Sequence, residues 1–160
     1  MGLDMYLTAK RYLSNFGTDE EKEFKKKIGE MDVSGVGLDA DEVSFNIHTW
    51  RKANAIHKWF LDNVQEGDDD CREYCVDIEQ LRELVGLINK VLGADTGNIK
   101  EDLANSLKGD YLKPEFLPDD EEEYDEYYVQ DLKETREMIE KILKNRDKYE
   151  KLGLFYSSSW

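Results

Sequence analysis

EVSFNIHTW, residues 42–50, runs directly into RKANAIHKWFLDNV, residues 51–64, and the apolar period changes across the junction. In the first stretch Val43, Phe45 and Ile47 alternate with Ser44, Asn46 and His48. A period of two belongs to a strand with one buried face, so 42–49 reads as a strand. From Thr49 the period lengthens. Trp50, Ala53, Ile56, Phe60, Leu61 and Val64 share one broad stripe, which reads as an amphipathic helix. Strand feeding directly into helix calls for a mixed, layered architecture.

The flanking segments extend this pattern. LDMYLTAKRYL, residues 3–13, puts Leu3, Met5 and Leu7 on one face and reads as another strand. Thr18 followed by Glu21 is a capping box, and Asp19 and Glu20 suit a first helical turn. The helix it opens should reach about residue 29, with Phe24 and Ile28 on its apolar side and Lys25 to Lys27 near its C-terminus. Gly35 and Gly37 mark a loop, and Gly67 with Asp68 to Asp70 another. EYCV (73–76) reads as a short strand. Asp77 and Gln80 form a second capping box, ahead of a helix that buries Leu81, Leu84, Val85, Ile88 and Leu92 and stops at Gly93. A short helix after Asn98 and an irregular stretch around Pro114 and Pro118 are expected next. The spacing of Tyr128, Leu132, Thr135, Ile139, Ile142 and Leu143 predicts one long helix from about 122 to 149. At 1.5 Å per residue that helix would be about 40 Å long. GLFYSSSW, residues 153–160, reads as a returning edge strand. The expected fold is α+β, a single domain over 1–160. Four to five helices, including the long C-terminal one, pack on a small antiparallel sheet.

Composition narrows the classes of function. The chain has 160 residues, 22 Lys+Arg and 37 Asp+Glu, for a formal charge of −15. Its 3 Trp, 9 Tyr and 6 Phe are enough for a packed core and argue against disorder. The acidic balance argues against direct nucleic-acid binding, which needs a basic surface. No run of about 18 apolar residues is present, so no membrane span is expected. The opening MGLDMYLTAKR lacks the basic and apolar regions of a signal peptide, so a cytoplasmic protein is expected. Two cysteines, Cys71 and Cys75, do not make a disulfide framework and read as free thiols. With His48 and His57 they do not follow a zinc-site spacing. DVSGVGLDADEV fails as a calcium loop because its twelfth position is Val43 rather than Glu. No phosphate loop, dinucleotide fingerprint or nucleophile elbow occurs. No cofactor, no metal and no catalytic group is therefore assigned.

Three segments can carry chemistry. Arg51, Lys52 and Lys58 form a basic island free of acids, and Arg51, Asn54 and Lys58 line up as a strip beside the apolar face, with His57 close by. Such donors can hold an anionic or nucleotide-like ligand, and they equally suit a helix surface with a satisfied histidine at the core margin. DDEEEYDEYY, residues 119–128, holds seven acids between Asp119 and Glu126. Asp119, Asp120, Glu121, Glu122 and Glu123 suit a basic partner surface, and they equally suit a solvated helix start. Tyr124 and Tyr128 can stack on a planar ligand or simply pack. The third segment, GDDDCRE, residues 67–73, is a solvated acidic loop or a weak cation site.

The opening MGLDMYL, the central WRKANAIHKWFLDNVQEGDDDC, the later YDEYYVQDLKET and the closing FYSSSW, in that order, resemble a family of small, functionally uncharacterised proteins found in bacteriophage genomes and prophage-bearing bacteria. The resemblance spans most of the chain and is weakest over 14–42 and 93–118. Relatives read more like G-E-Y-Y-V after Cys71, so Cys75 is a departure. Many also carry a Gly/Phe-rich segment where this chain has LKPEFLPDDEEE, which makes the acidic strip partly its own. The resemblance implies a phage accessory protein made in the cytoplasm of a bacterial host, and it brings no activity with it. Its motif covers Trp50, Arg51, Lys52, Asn54, His57, Lys58, Asp69, Asp70, Cys71 and Tyr124 to Tyr128.

The expected function is a non-enzymatic binder that interferes with a host process, such as defence. It would either sequester a nucleotide-like signal through Arg51, Asn54, His57, Lys58, Tyr124 and Tyr128, or cover a host protein through the acidic strip. One alternative is a small enzyme on a nucleotide or phosphorylated metabolite, with His57 as general acid/base. Another is a minor phage structural protein. The oligomeric state is left open.

Overall fold

The computed structural model describes residues 2–37, 39–93, 126–149 and 151–160. In chain order these form β1 (Asp4–Tyr12), α1 (Asp19–Gly29), β2 (Glu42–Arg51), α2 (Asn54–Asn63), β3 (Tyr74–Val76), α3 (Ile78–Gly93), α4 (Glu126–Lys144), α5 (Arg146–Tyr149) and β4 (Gly153–Ser159). The strands make one sheet in the order β2-β1-β4-β3, and every neighbouring pair is antiparallel. The fold is α+β, with a long C-terminal helix.

The period-two pattern of β1 sets the core. Met5, Leu7 and Ala9 point to one face and are buried. Trp50 of β2, Leu154 and Tyr156 of β4 and Val76 of β3 join them on that face. Three helices cover it: α2 brings Ile56, Trp59 and Phe60, α3 brings Leu81, Leu84 and Ile88, and α4 brings Leu132, Ile139 and Ile142. The opposite face carries Tyr6, Thr8 and Lys10, and Lys10 bridges Glu42 at 3.2 Å and Glu73 at 2.5 Å. One face buried and one polar is the usual economy of an antiparallel sheet.

The first capping box is complete, and the second shows its Gln80 half while the Asp77 side chain accepts from the Glu79 backbone N–H at 3.1 Å. Thr18 accepts from the Glu21 backbone, and Glu21 accepts from the Thr18 backbone N–H at 2.8 Å. Gln80 accepts from the Asp77 backbone N–H at 2.8 Å, and its own amide donates to the Asn63 carbonyl at 2.6 Å. One side chain thereby caps α3 and ties it to the end of α2.

Four sequence expectations need correction. Helical geometry does not begin at Thr49. Trp50 is still in β2, opposite Met5, and α2 starts at Asn54. Lys52 breaks the chain between them in a left-handed conformation, φ 58°, with its N–H donated to the Leu3 carbonyl. Second, the face assignment of β2 holds only in part. The register shifts between Leu7 and Thr8, so that Leu7 faces His48 while Ala9 faces Phe45, and Ile47 is the extra residue. This β-bulge turns His48 and Trp50 onto the same covered face as Phe45. Third, the long helix is not continuous to 149. It breaks at Asn145, whose side chain donates to the Lys141 carbonyl at 2.8 Å and competes with the backbone ladder. Fourth, β4 is no edge strand, since it lies between β1 and β3. The helix expected after Asn98, the prolines and the segment 122–125 lie outside the described residues.

Candidate functional site

Two polar assemblies lie on the covered side of the sheet. The first is centred on His57, which α2 turns inward to 9% exposure. Its Nε2 lies 3.2 Å from Asp69 Oδ1, and its Nδ1 lies 2.8 Å from the Tyr156 hydroxyl. An ionised carboxylate only accepts, so Nε2 donates to Asp69, and in the neutral ring Nδ1 then accepts from the tyrosine. Tyr156 is fully buried, stacked on Phe60 with centroids 4.0 Å apart and planes 4° from parallel. Burial, helped by the Asp69 charge, pushes its hydroxyl well above the ordinary tyrosine range. The hydroxyl is therefore a reluctant acid with no route to a substrate.

The Tyr156–His57–Asp69 chain fastens the acidic loop 67–73 to the sheet. The Ser158 hydroxyl adds a donor to the Asp70 carbonyl at 3.4 Å. Asp70 itself binds the Arg72 backbone N–H at 2.9 Å and the Arg72 guanidinium at 2.5 Å. Desolvation pushes its carboxyl up, but these donors win and hold it below the usual range. The loop is organised by its own ion pairs. Among the described residues no three His, Cys, Asp or Glu side chains are grouped to hold a metal. Cys71 and Cys75 are free and exposed. Both His57 ring nitrogens are engaged elsewhere, so no Cys–His pair forms.

The second assembly is open. A groove of about 850 Å³ runs between β2 and α4. Phe45, Asn46, Ile47 and His48 form one wall, and Glu134, Glu137, Met138, Lys141, Ile142 and Asn145 form the other. The helical residues recur at three- and four-residue steps, which places them on a single stripe. His48 packs edge-on against Trp50 with centroids 4.7 Å apart. Burial lowers its pKa below the ordinary 6.5, although the nearby Glu134 carboxylate pulls the other way. Trp50 anchors this end of the groove by donating its indole N–H to Thr135 at 2.7 Å.

The ligand residues expected from sequence do not gather in this groove. Arg51 ends β2 and lies 3.9 Å from Asp4, on the polar side of the sheet. Asn54 opens α2 and is exposed, Lys58 is half-buried on α2, and Tyr128 is buried in α4. The strip joining Arg51 to Asn54 and Lys58 assumed a helix through residue 51, and the turn at Lys52 removes that continuity. Tyr124 and the strip Asp119, Asp120, Glu121, Glu122 and Glu123 lie outside the described residues. The groove residues were missed because the bulge that turns His48 inward has no signature in a single sequence. The one available signal was the spacing of Glu134, Glu137 and Lys141 on one helical face.

No described helix is long and apolar enough to cross a membrane. No family model, no curated protein and no solved structure matches the chain.

Proposed function

We propose that this chain is a phage accessory protein that acts in the cytoplasm of a bacterial host as a non-enzymatic binder, interfering with a host process such as defence by covering a host protein. The observation that carries this reading is the contrast in access between its two polar assemblies. The His57 chain, with the residue types of a catalytic relay, is sealed at Tyr156 and engaged in fastening a loop. The open groove offers a half-exposed aromatic, apolar flooring and charges of both signs, which suit a protein surface. The dispersal of Arg51, Asn54, His57 and Lys58 favours a protein partner over a sequestered nucleotide.

The test is native mass spectrometry of the protein purified gently from an expressing bacterium, with Phe45→Asp and Arg51→Ala beside the wild type. A stoichiometric complex with one host protein, lost in Phe45→Asp, is the expected result. A nucleotide-sized adduct lost in Arg51→Ala would restore the sequestering form. Turnover of a nucleotide that stops in His57→Ala would overturn the reading in favour of an enzyme.

A further inference from the structure

Strand β2 is the outer strand of the sheet. It is ten residues long, and among the described residues its only strand partner is β1. Among the described residues no strand pairs with its other side, and such an edge is normally blunted with charge, proline, a bulge or a cover. Here the edge bears Phe45, 49% exposed, at one end of the groove wall.

The groove has two charged poles. Thr135 bonds to Trp50, and Glu134 acts electrostatically on His48, so the first part of the α4 stripe lies at the C-terminal end of β2. The far part leads through α5 to β4, whose Leu154 pairs with Ala9, itself opposite Phe45. The helix thus runs antiparallel to β2, with Glu134 and Glu137 at the His48 end and Lys141 and Lys148 toward the Phe45 end. The side chains of Glu137, Lys141 and Lys148 enter no ion pair among the described residues. From 134 to 145 the helix rises about 16 Å, the length of about five strand residues.

Taking the binder reading as its basis, we infer that the groove accepts an extended segment of the partner protein as a fifth strand, antiparallel to β2. Side chains of a strand alternate, so the first, third and fifth residues of that segment face α4. The first is basic and meets Glu134 and Glu137. The third is apolar and packs on Phe45 and the helix. The fifth is acidic and meets Lys141 and Lys148. Main-chain bonds to β2 supply affinity, and the two poles fix direction and register. A second copy of this chain is the poorer occupant, because two chains of charge −15 repel.

The probes are blocked fluorescent peptides: GKTVTEG, its charge-reversed form GETVTKG, and GKTPTEG with a central proline. Anisotropy should show GKTVTEG bound about tenfold tighter than GETVTKG, a modest margin fitting partly exposed charge pairs. Proline should abolish binding, since it cannot pair with the edge. The exposed double variant K141E/K148E, its fold checked by thermal melting, should lose GKTVTEG and prefer GKTVTKG. Amide shifts on titration should centre on residues 44–48. Equal binding of the two charge forms, no saturation at millimolar peptide, shifts centred elsewhere, or a dimer in sedimentation that Phe45→Asp dissolves would each overturn the inference. A host complex that survives both Phe45→Asp and K141E/K148E would sink the fifth strand and leave the binder reading standing. Absence of any host complex would remove the binder reading itself.

Discussion

The His57 assembly and the β2–α4 groove use the same ingredients, a histidine and nearby carboxylates among aromatics, and they do opposite things. At His57 every ring nitrogen has a partner, the aromatic beneath is fully buried, and the hydrogen-bond chain ends inside the core. Along the groove, His48 is half-buried, Phe45 is half-exposed, and charges of both signs face open space. Residue type alone does not make a site. Burial decides whether a histidine and an acid become a fastening or a contact surface.

The largest test of that contrast compares two phenylalanines. Phe60→Ala removes the ring stacked on Tyr156 and should cost about 3–5 kcal/mol. Phe45→Ser should cost less than about 1 kcal/mol, because half of that ring is already in water. Urea unfolding midpoints read both. Equal losses would mean that the groove wall is part of the core.

The next effect concerns the buried chain itself. Tyr156→Phe keeps the stack and leaves His57 Nδ1 without its donor, at a cost of about 1–3 kcal/mol. Amide exchange over 68–72 should accelerate in the same variant, since the loop loses its link to the sheet. Unchanged protection there would show that the Arg72–Asp70 pair alone holds the loop.

A pH titration probes His48. The folded pKa of His48 lies below 6.5, so as pH falls the unfolded chain takes up that proton first. Stability should therefore decline below about pH 6.5, with a slope of at most about 1.4 kcal/mol per pH unit from this group, and level off below its folded pKa. His48→Gln should flatten that part of the profile, read as melting temperature against pH. The smallest expected effect is a gain. Lys52 holds φ 58°, so Lys52→Gly should stabilise by up to about 1 kcal/mol in chemical denaturation.

Much of the scaffold could be read from local chemistry. Thr18 with Glu21, and Asp77 with Gln80, mark two helix starts because a cap needs only residues three apart. Met5 and Leu7 reveal β1 through alternation, and Leu132, Ile139 and Ile142 reveal α4 through helical spacing. The candidate site was far less legible. Arg51 and Lys58 share a helical face only if the helix reaches residue 51, and a single left-handed residue decides that it does not. His48 looked solvent-facing by parity, and one bulged residue reversed it.

Period, capping and charge are properties of neighbours along the chain, so the sequence by itself determined the fold class, most of the elements and the acidic character of the surface. Strand order, the bulge, the central place of β4 and the pairing of His57 with Tyr156 join residues as far apart along the chain as Asp4 and Ser159. Only the tertiary structure decided those, because each depends on which surfaces meet once the chain has closed on its core.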